Sequence, residues 1–552
     1  MIERTGWAGK PGLKWLPGLG LCLAMVLAGG PALGAQPQQS APPGQTPAAP
    51  VKPGGQAGQK KPDGDTHITP DQAKELFALV DQLMQFSSEE SGLPIKSTVK
   101  RQIRSRADVE SYLKEKFDED EDAKRLQRSE IVLKKFGLLD HDFDLKPFLL
   151  ALLTEQIQAY YDSKTKTVNL LDWVSVDEQK AVLAHELTHA LQDQHVDLEK
   201  WSDQTPDEVS TNYRNDLDHL AKDEMDTARE AVSEGQATAV MMDNLLKPMG
   251  KSLIKDPEVV DFIKQNMTGS DSSPVMARAP LLLKESMLFP YSEGLSFEQD
   301  LWMDKGQAAA FAGALDHPPT SSWEIINPRA FEEHKVPVVP FLPDIHPLVD
   351  KEYRPYDIGQ MGQLDLKILA ELFGGDAAAR DLTPAWNGGI YWAGQRLNAT
   401  PAEQAETKSI SFFYLSEWKS TASAQSFAQL YADSLGRKYS GLHRESSGQT
   451  PVDAPAGTTE DVYTTNEGPV TITSRGKLVF VSESFELPVA RKLAALLLDA
   501  QGTGEMKMAR AARPDGPAQA TLPTLSGGVV RLFADCGVIK AAVDAAMMAA
   551  RQ

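Results

Sequence analysis

Ala184-His185-Glu186-Leu187-Thr188-His189-Ala190-Leu191 is the stretch on which the reading of this 552-residue chain turns. No glycine or proline interrupts it, and Leu183, Leu187, Ala190 and Leu191 recur at helical spacing, which predicts a helix over about 177–194 with one apolar side. On such a helix His185 and His189 stand about 40° apart, near enough for both imidazoles to reach one cation. Glu186 lies about 100° round from His185, beside a cation instead of on it, where a base acting on water belongs. Two histidines do not complete a catalytic zinc site, because a third protein ligand is usual. His195 is one candidate, but Gln192 stands where a glycine would let the chain turn back. On an uninterrupted helix His195 is carried about 15 Å along the axis from His185. A second helix, expected over about 218–246, puts Glu230 and Glu234 on one face. Gly235 and Ala237 beside them are small enough to let that helix approach the first. Glu234, Glu230 and His195 all stand as candidates for the third ligand.

Composition narrows the chemistry. Lys and Arg number 56 against 77 Asp and Glu, a formal net charge of −21, which argues against a nucleic-acid partner whose phosphates need clustered cations. With 41% hydrophobic and 24% charged residues the chain is of ordinary globular composition. Only Cys22 and Cys536 are present, so no disulfide framework or thiolate-rich metal site is possible, and any metal must sit on histidines and carboxylates. At the N-terminus Lys10 and Lys14 precede an apolar run from Trp15 to Gly30 and small residues up to Ala35. That reads as a signal peptide, 1–35, and an exported protein, periplasmic or extracellular. An uncleaved anchor is the alternative. Residues 36–69 are rich in Pro, Gly and Gln and read as a disordered linker.

Residues 70–375 form one expected domain. Helical patterns start at Pro70 and again over 107–136, followed by a hairpin in which 157–162 and 167–171 flank the turn Ser163–Lys166. The two helices above come next, then short helices alternating with Pro-rich loops over 275–370. From 376 to 502 the pattern suggests a separate α+β domain, with strands at Ile410–Trp418, Val470–Ser474 and Leu478–Ser482 and helices near 421–437 and 487–501. A linker over 503–528 and a C-terminal helix over 529–552 complete the chain.

The pairing of His185-Glu186-x-x-His189 with Glu234-Gly235-x-Ala237 resembles the gluzincin branch of zinc metallopeptidases. The longer run from His185 to His195 is similar to a group of exported bacterial gluzincin-like proteins, as are Tyr160-Tyr161-Asp162, Pro318-Pro319-Thr320-Ser321-Ser322-Trp323-Glu324 and Trp386-Asn387-Gly388-Gly389. The likeness runs motif by motif over about 155–435. It implies an α+β fold: a mainly helical zincin-like metallopeptidase domain with a small antiparallel sheet, plus a C-terminal α+β domain. It also implies Zn²⁺ on His185, His189 and Glu234, with Glu186 as general base in hydrolysis of a peptide or protein substrate. Glu230 and Asp193 are then candidates for orienting a ligand histidine, and Tyr291 and His317 for donating to the oxyanion. The hairpin would edge the cleft and hold an extended peptide by strand addition. The competing expectation is a catalytically silent zinc-binding, structural or partner-binding exported protein, against which the intact Glu186 weighs.

Overall fold

The computed structural model describes residues 68–502, except 120, 203, 205–209, 211, 270–272 and 453, together with 525–536 and 539–551. The expected signal segment, nearly all of the first linker and most of the second lie outside the described residues. The fold is mixed α and β. A small sheet is built from β1 (Lys100–Arg104), β2 (Ala159–Asp162) and β3 (Thr167–Leu171) in the order β1-β3-β2. β2 and β3 form the expected hairpin, but β1 joins β3 in parallel, so this sheet is mixed and not antiparallel throughout. Its sequence, Lys100-Arg101-Gln102-Ile103-Arg104, has no alternating apolar pattern and stays largely exposed, which leaves nothing for a period-two reading to detect.

Beneath the hairpin runs the helix that carries both histidines, Val176–Val196, called here the His helix. Ser175 caps it: its hydroxyl accepts from the Glu178 N–H, while the Glu178 carboxylate reaches back to the Ser175 N–H at 3.2 Å. Asp197, at φ 60°, ends it in the left-handed region. Every residue from Ala181 to Asp193 is buried. The helix is therefore enclosed on all sides, not one-sided as its leucine stripe suggested.

The expected second helix is two. Tyr213–Lys222 and Met225–Leu246, the latter called the Glu helix, are separated at Asp223 and Glu224. Both carboxylates have tertiary work there: Asp223 Oδ2 accepts from the Gln360 N–H at 2.7 Å and Glu224 Oε2 from the Ser322 N–H at 2.9 Å. Over the 107–136 stretch the described residues Arg106–Glu119 and Glu121–Phe136 are helical, as expected. Across 275–370 the expectation of short helices fails in one place. Leu281–Lys305, called the Tyr helix, runs 25 residues straight through Pro290. It is buried on nearly all sides, so no apolar stripe marks it, and packing outweighs the roughly 3 kcal/mol cost of an internal proline.

The second sheet has seven strands, all antiparallel: β4 (Tyr353–Gln360), β5 (Trp386–Arg396), β6 (Ile410–Trp418), β7 (His443–Gln449), β8 (Thr458–Thr465), β9 (Gly468–Arg475) and β10 (Leu478–Glu483), in the order β4-β5-β6-β10-β9-β8-β7. Alternate residues of β6 enter different cores. Phe412 and Tyr414 pack with Tyr391 on one face, and Phe413 and Leu415 with Trp392 and Phe480 on the other. The expected boundary at 375/376 coincides with a kink at Gly375 (φ 74°, ψ 179°) that breaks the helical span Gln363–Leu382, and β4 precedes it. At the C-terminus Ser526–Asp535 and Lys540–Arg551 are two helices, not one. Their apolar side chains Val529, Val530, Phe533 and Ala546 are fully buried in the same core as the His and Glu helices. No helix among the described residues is long and apolar enough to cross a membrane.

Candidate metal centre

The His helix lies against the Glu helix, and three side chains meet where they face. His185 Nε2 is 3.0 Å from Glu234 Oε2, His189 Nε2 is 3.5 Å from the same oxygen, and the two Nε2 atoms are 2.9 Å apart. Among the described residues this is the one group of His, Cys, Asp and Glu with the geometry to hold a metal ion. It is deeply buried: His185, Glu186, His189 and Glu234 are each no more than 9% exposed.

Electrostatics ties the group together. Burial lowers the His185 imidazole, so that ring is neutral. Burial also opposes charge on His189, but the carboxylates of Glu234 and Glu186 outweigh it and hold the ring up at about 9. Burial would raise Glu234; the two imidazoles beside it hold it down at about 2. An anionic oxygen and two ring nitrogens thus converge on one point. Two nitrogens and one carboxylate oxygen suit a borderline divalent cation, which fits the donor set present.

Glu186 is beside this group and not in it. Burial pushes its carboxyl up to about 7, and Oε1 has no protein partner. The Tyr161 backbone N–H bonds to the same carboxyl, so the free edge of β2 faces the site. Tyr291, on the Tyr helix, places its ring centroid 6.2 Å from that of His185, with the two planes tilted by 30°. Its buried hydroxyl lies beside the Glu234 carboxylate. Burial, followed by the carboxylates of Glu234, Glu186 and Glu230, raises its phenol well above the ordinary value.

The remaining candidates are elsewhere. His195 pairs with Asp316, Nε2 to Oδ1 at 3.2 Å, and takes no part in the group; its helix never turns back. Glu230, one turn before Glu234, is buried but also outside it. Asp193 does not reach a histidine ring: its Oδ2 accepts from Tyr161 Oη and Lys166 Nζ, each at 2.7 Å, pinning the hairpin to the His helix. His317 is exposed. Gly235 serves a different contact from the one its small size suggested, facing Gly294 of the Tyr helix. The sequence reading missed Ser233 and Gln236 and took Gln192 only as a departure from glycine. Its spacing, three residues after His189 and so on the same face, was the available signal. Comparison with known proteins gives no matching family model, no matching curated protein and no matching solved structure.

Proposed function

We propose that the chain is an exported zinc metallopeptidase of gluzincin type, on a zincin-like fold, that hydrolyses peptide bonds in a peptide or protein substrate. One observation carries this reading: a buried two-histidine, one-carboxylate group with a second carboxylate alongside whose Oε1 is bare. His185, His189 and Glu234 would hold the ion. Zn²⁺ bound there supplies a positive charge that acidifies water and polarises a carbonyl. Glu186 takes a proton from water at Oε1 and returns it to the departing amine, and a pKa of about 7 suits both halves of that exchange. The Tyr291 hydroxyl, beside Glu234 in the same buried group, donates to the carbonyl oxygen as charge develops on it. The open edge of β2 supplies backbone groups along which an extended peptide can lie. Export rests on the N-terminal signal pattern, and the acidic balance leaves nucleic acid without a basic surface.

The depth of burial favours a second reading, a closed metal site without turnover. Glu186→Gln separates the two. On the peptidase reading the variant retains about one zinc per chain and loses cleavage of a denatured protein substrate, by about a hundredfold or more. Wild-type protein that binds zinc yet cleaves nothing, or a variant as active as wild type, rejects it.

A further inference from the structure

We infer that Gln192 is a positioning residue for the metal centre: its amide oxygen keeps the His189 proton on Nδ1 and turns the Nε2 lone pair toward the ion. The inference rests on the metal-site reading above. His189 Nδ1 lies 2.9 Å from Gln192 Oε1, while Nε2 faces Glu234 and His185. A carbonyl oxygen can only accept, so the ring nitrogen opposite it must donate.

Which end of each amide is oxygen is fixed by where the chain of contacts ends. Gln236 Nε2 lies 2.8 Å from the Ala310 carbonyl and 3.0 Å from the Phe311 carbonyl, and both are acceptors only. Gln236 Oε1 must then face Gln192, and it accepts from Gln192 Nε2 at 2.9 Å. The same Nε2 donates to the Ser233 carbonyl at 3.0 Å. Gln192 Oε1 is left for His189, with the Ser233 hydroxyl donating to it at 3.1 Å. Flipping either amide sets donor against donor or acceptor against acceptor. Both glutamines are fully buried, so water cannot repair a mismatch.

The chain begins at a ligand histidine, crosses to the residue preceding the carboxylate ligand, and ends on the π-helical turn Ala309–Gly313. It therefore ties both metal-bearing helices to one backbone anchor. A neutral imidazole whose other nitrogen already donates is the more basic and better aimed ligand, and loss of such a partner typically costs about 10–100-fold in metal affinity.

The test uses the full chain, with Gln192→Met, which keeps volume and loses the acceptor, and Gln192→Glu. The substituted carboxyl keeps an acceptor oxygen for Nδ1. Zinc affinity is read by chelator competition, and ¹H–¹⁵N spectra of the histidine rings are recorded on zinc-loaded protein. The methionine variant is expected to lose about 10–100-fold in affinity, and the glutamate variant to stay within about threefold of wild type by the same partner logic. Wild type should show a slowly exchanging His189 Nδ1 proton. A folded methionine variant with wild-type affinity overturns the role, as does a His189 ring bound through Nδ1. Should the methionine variant not fold, the wild-type ring spectrum and the glutamate variant decide: a tenfold loss in the latter overturns it. Wild type that takes up no zinc instead rejects the metal site itself, a separate result.

Discussion

Gly235→Ala tests the packing that aims Glu234. A Cβ at Gly235 would stand 2.3 Å from the Gly294 carbonyl oxygen and 2.4 Å from its carbon, and one at Gly294 would stand 2.2 Å from the Ala231 carbonyl oxygen. The Glu and Tyr helices therefore touch backbone to backbone. Ordinary contact begins near 3.4 Å, so the methyl forces the helices apart by about 1 Å, with no flexible side chain to yield. Alanine gains about 1 kcal/mol of helix propensity, while overpacking against backbone costs about 3 kcal/mol at the upper end of its usual range. The net expectation is a destabilisation of about 2 kcal/mol. Glu234 follows Gly235 in the shift. Ligand geometry tolerates only about 0.2 Å, so zinc affinity should fall as well. Urea unfolding and chelator competition measure the two effects. Gly436→Ala, in the helix Thr421–Lys438 with nothing within 4 Å of its added methyl, is the control and should be stabilising by about 0.5–1 kcal/mol. If Gly235→Ala behaves like that control in stability and zinc retention, the close contact does not position the carboxylate.

Three other outcomes follow from buried charge. His189 in the metal-free protein holds a proton up to about pH 9, and the ion must displace it. Apparent zinc affinity should rise about tenfold per pH unit below that value and level off above it; a flat profile from pH 6.5 to 8.5 contradicts the pairing with Glu234. Glu298 is fully buried, and burial pushes its carboxyl well above the ordinary range. Its folded value is raised, so its contribution is whole at low pH and is lost as pH climbs past the unfolded value, by about 1.4 kcal/mol per unit. Glu298→Gln should therefore gain on wild type between pH 5 and 7 in urea midpoint, and parallel pH profiles would refute it. Lys438 Nζ bonds Glu483 Oε1 at 2.5 Å with both side chains buried. Lys438→Met leaves that carboxylate the Tyr431 and Tyr439 hydroxyls but removes its cation, and should cost about 3–5 kcal/mol by denaturant unfolding.

The His helix was legible because its signals are local: spacing of two imidazoles, an apolar stripe and no breaker. The hairpin was legible for the same reason, with strands on either side of a polar turn. Strands β4, β5, β7 and β8 were not read. β5 is buried almost throughout, which erases alternation, and β7 is exposed almost throughout, which does the same from the other side. The Tyr helix hid behind Pro290, a local breaker overruled by enclosure in the core.

By itself the sequence determined which residue types could hold a cation, since two imidazoles one helical turn apart face the same way wherever the helix is put. It also determined the absence of a thiolate alternative and the acidic balance of the surface. Only tertiary structure decided which of Glu234, Glu230 and His195 stands beside the two imidazoles, because that depends on how a second helix crosses the first and on where the first one stops. It likewise assigned Gly235 to the Tyr helix, Asp193 to the hairpin and Gln192 to the His189 ring. Those are contacts between elements 40 or more residues apart in several cases, and no short-range pattern encodes which of two neighbouring faces a partner will cover.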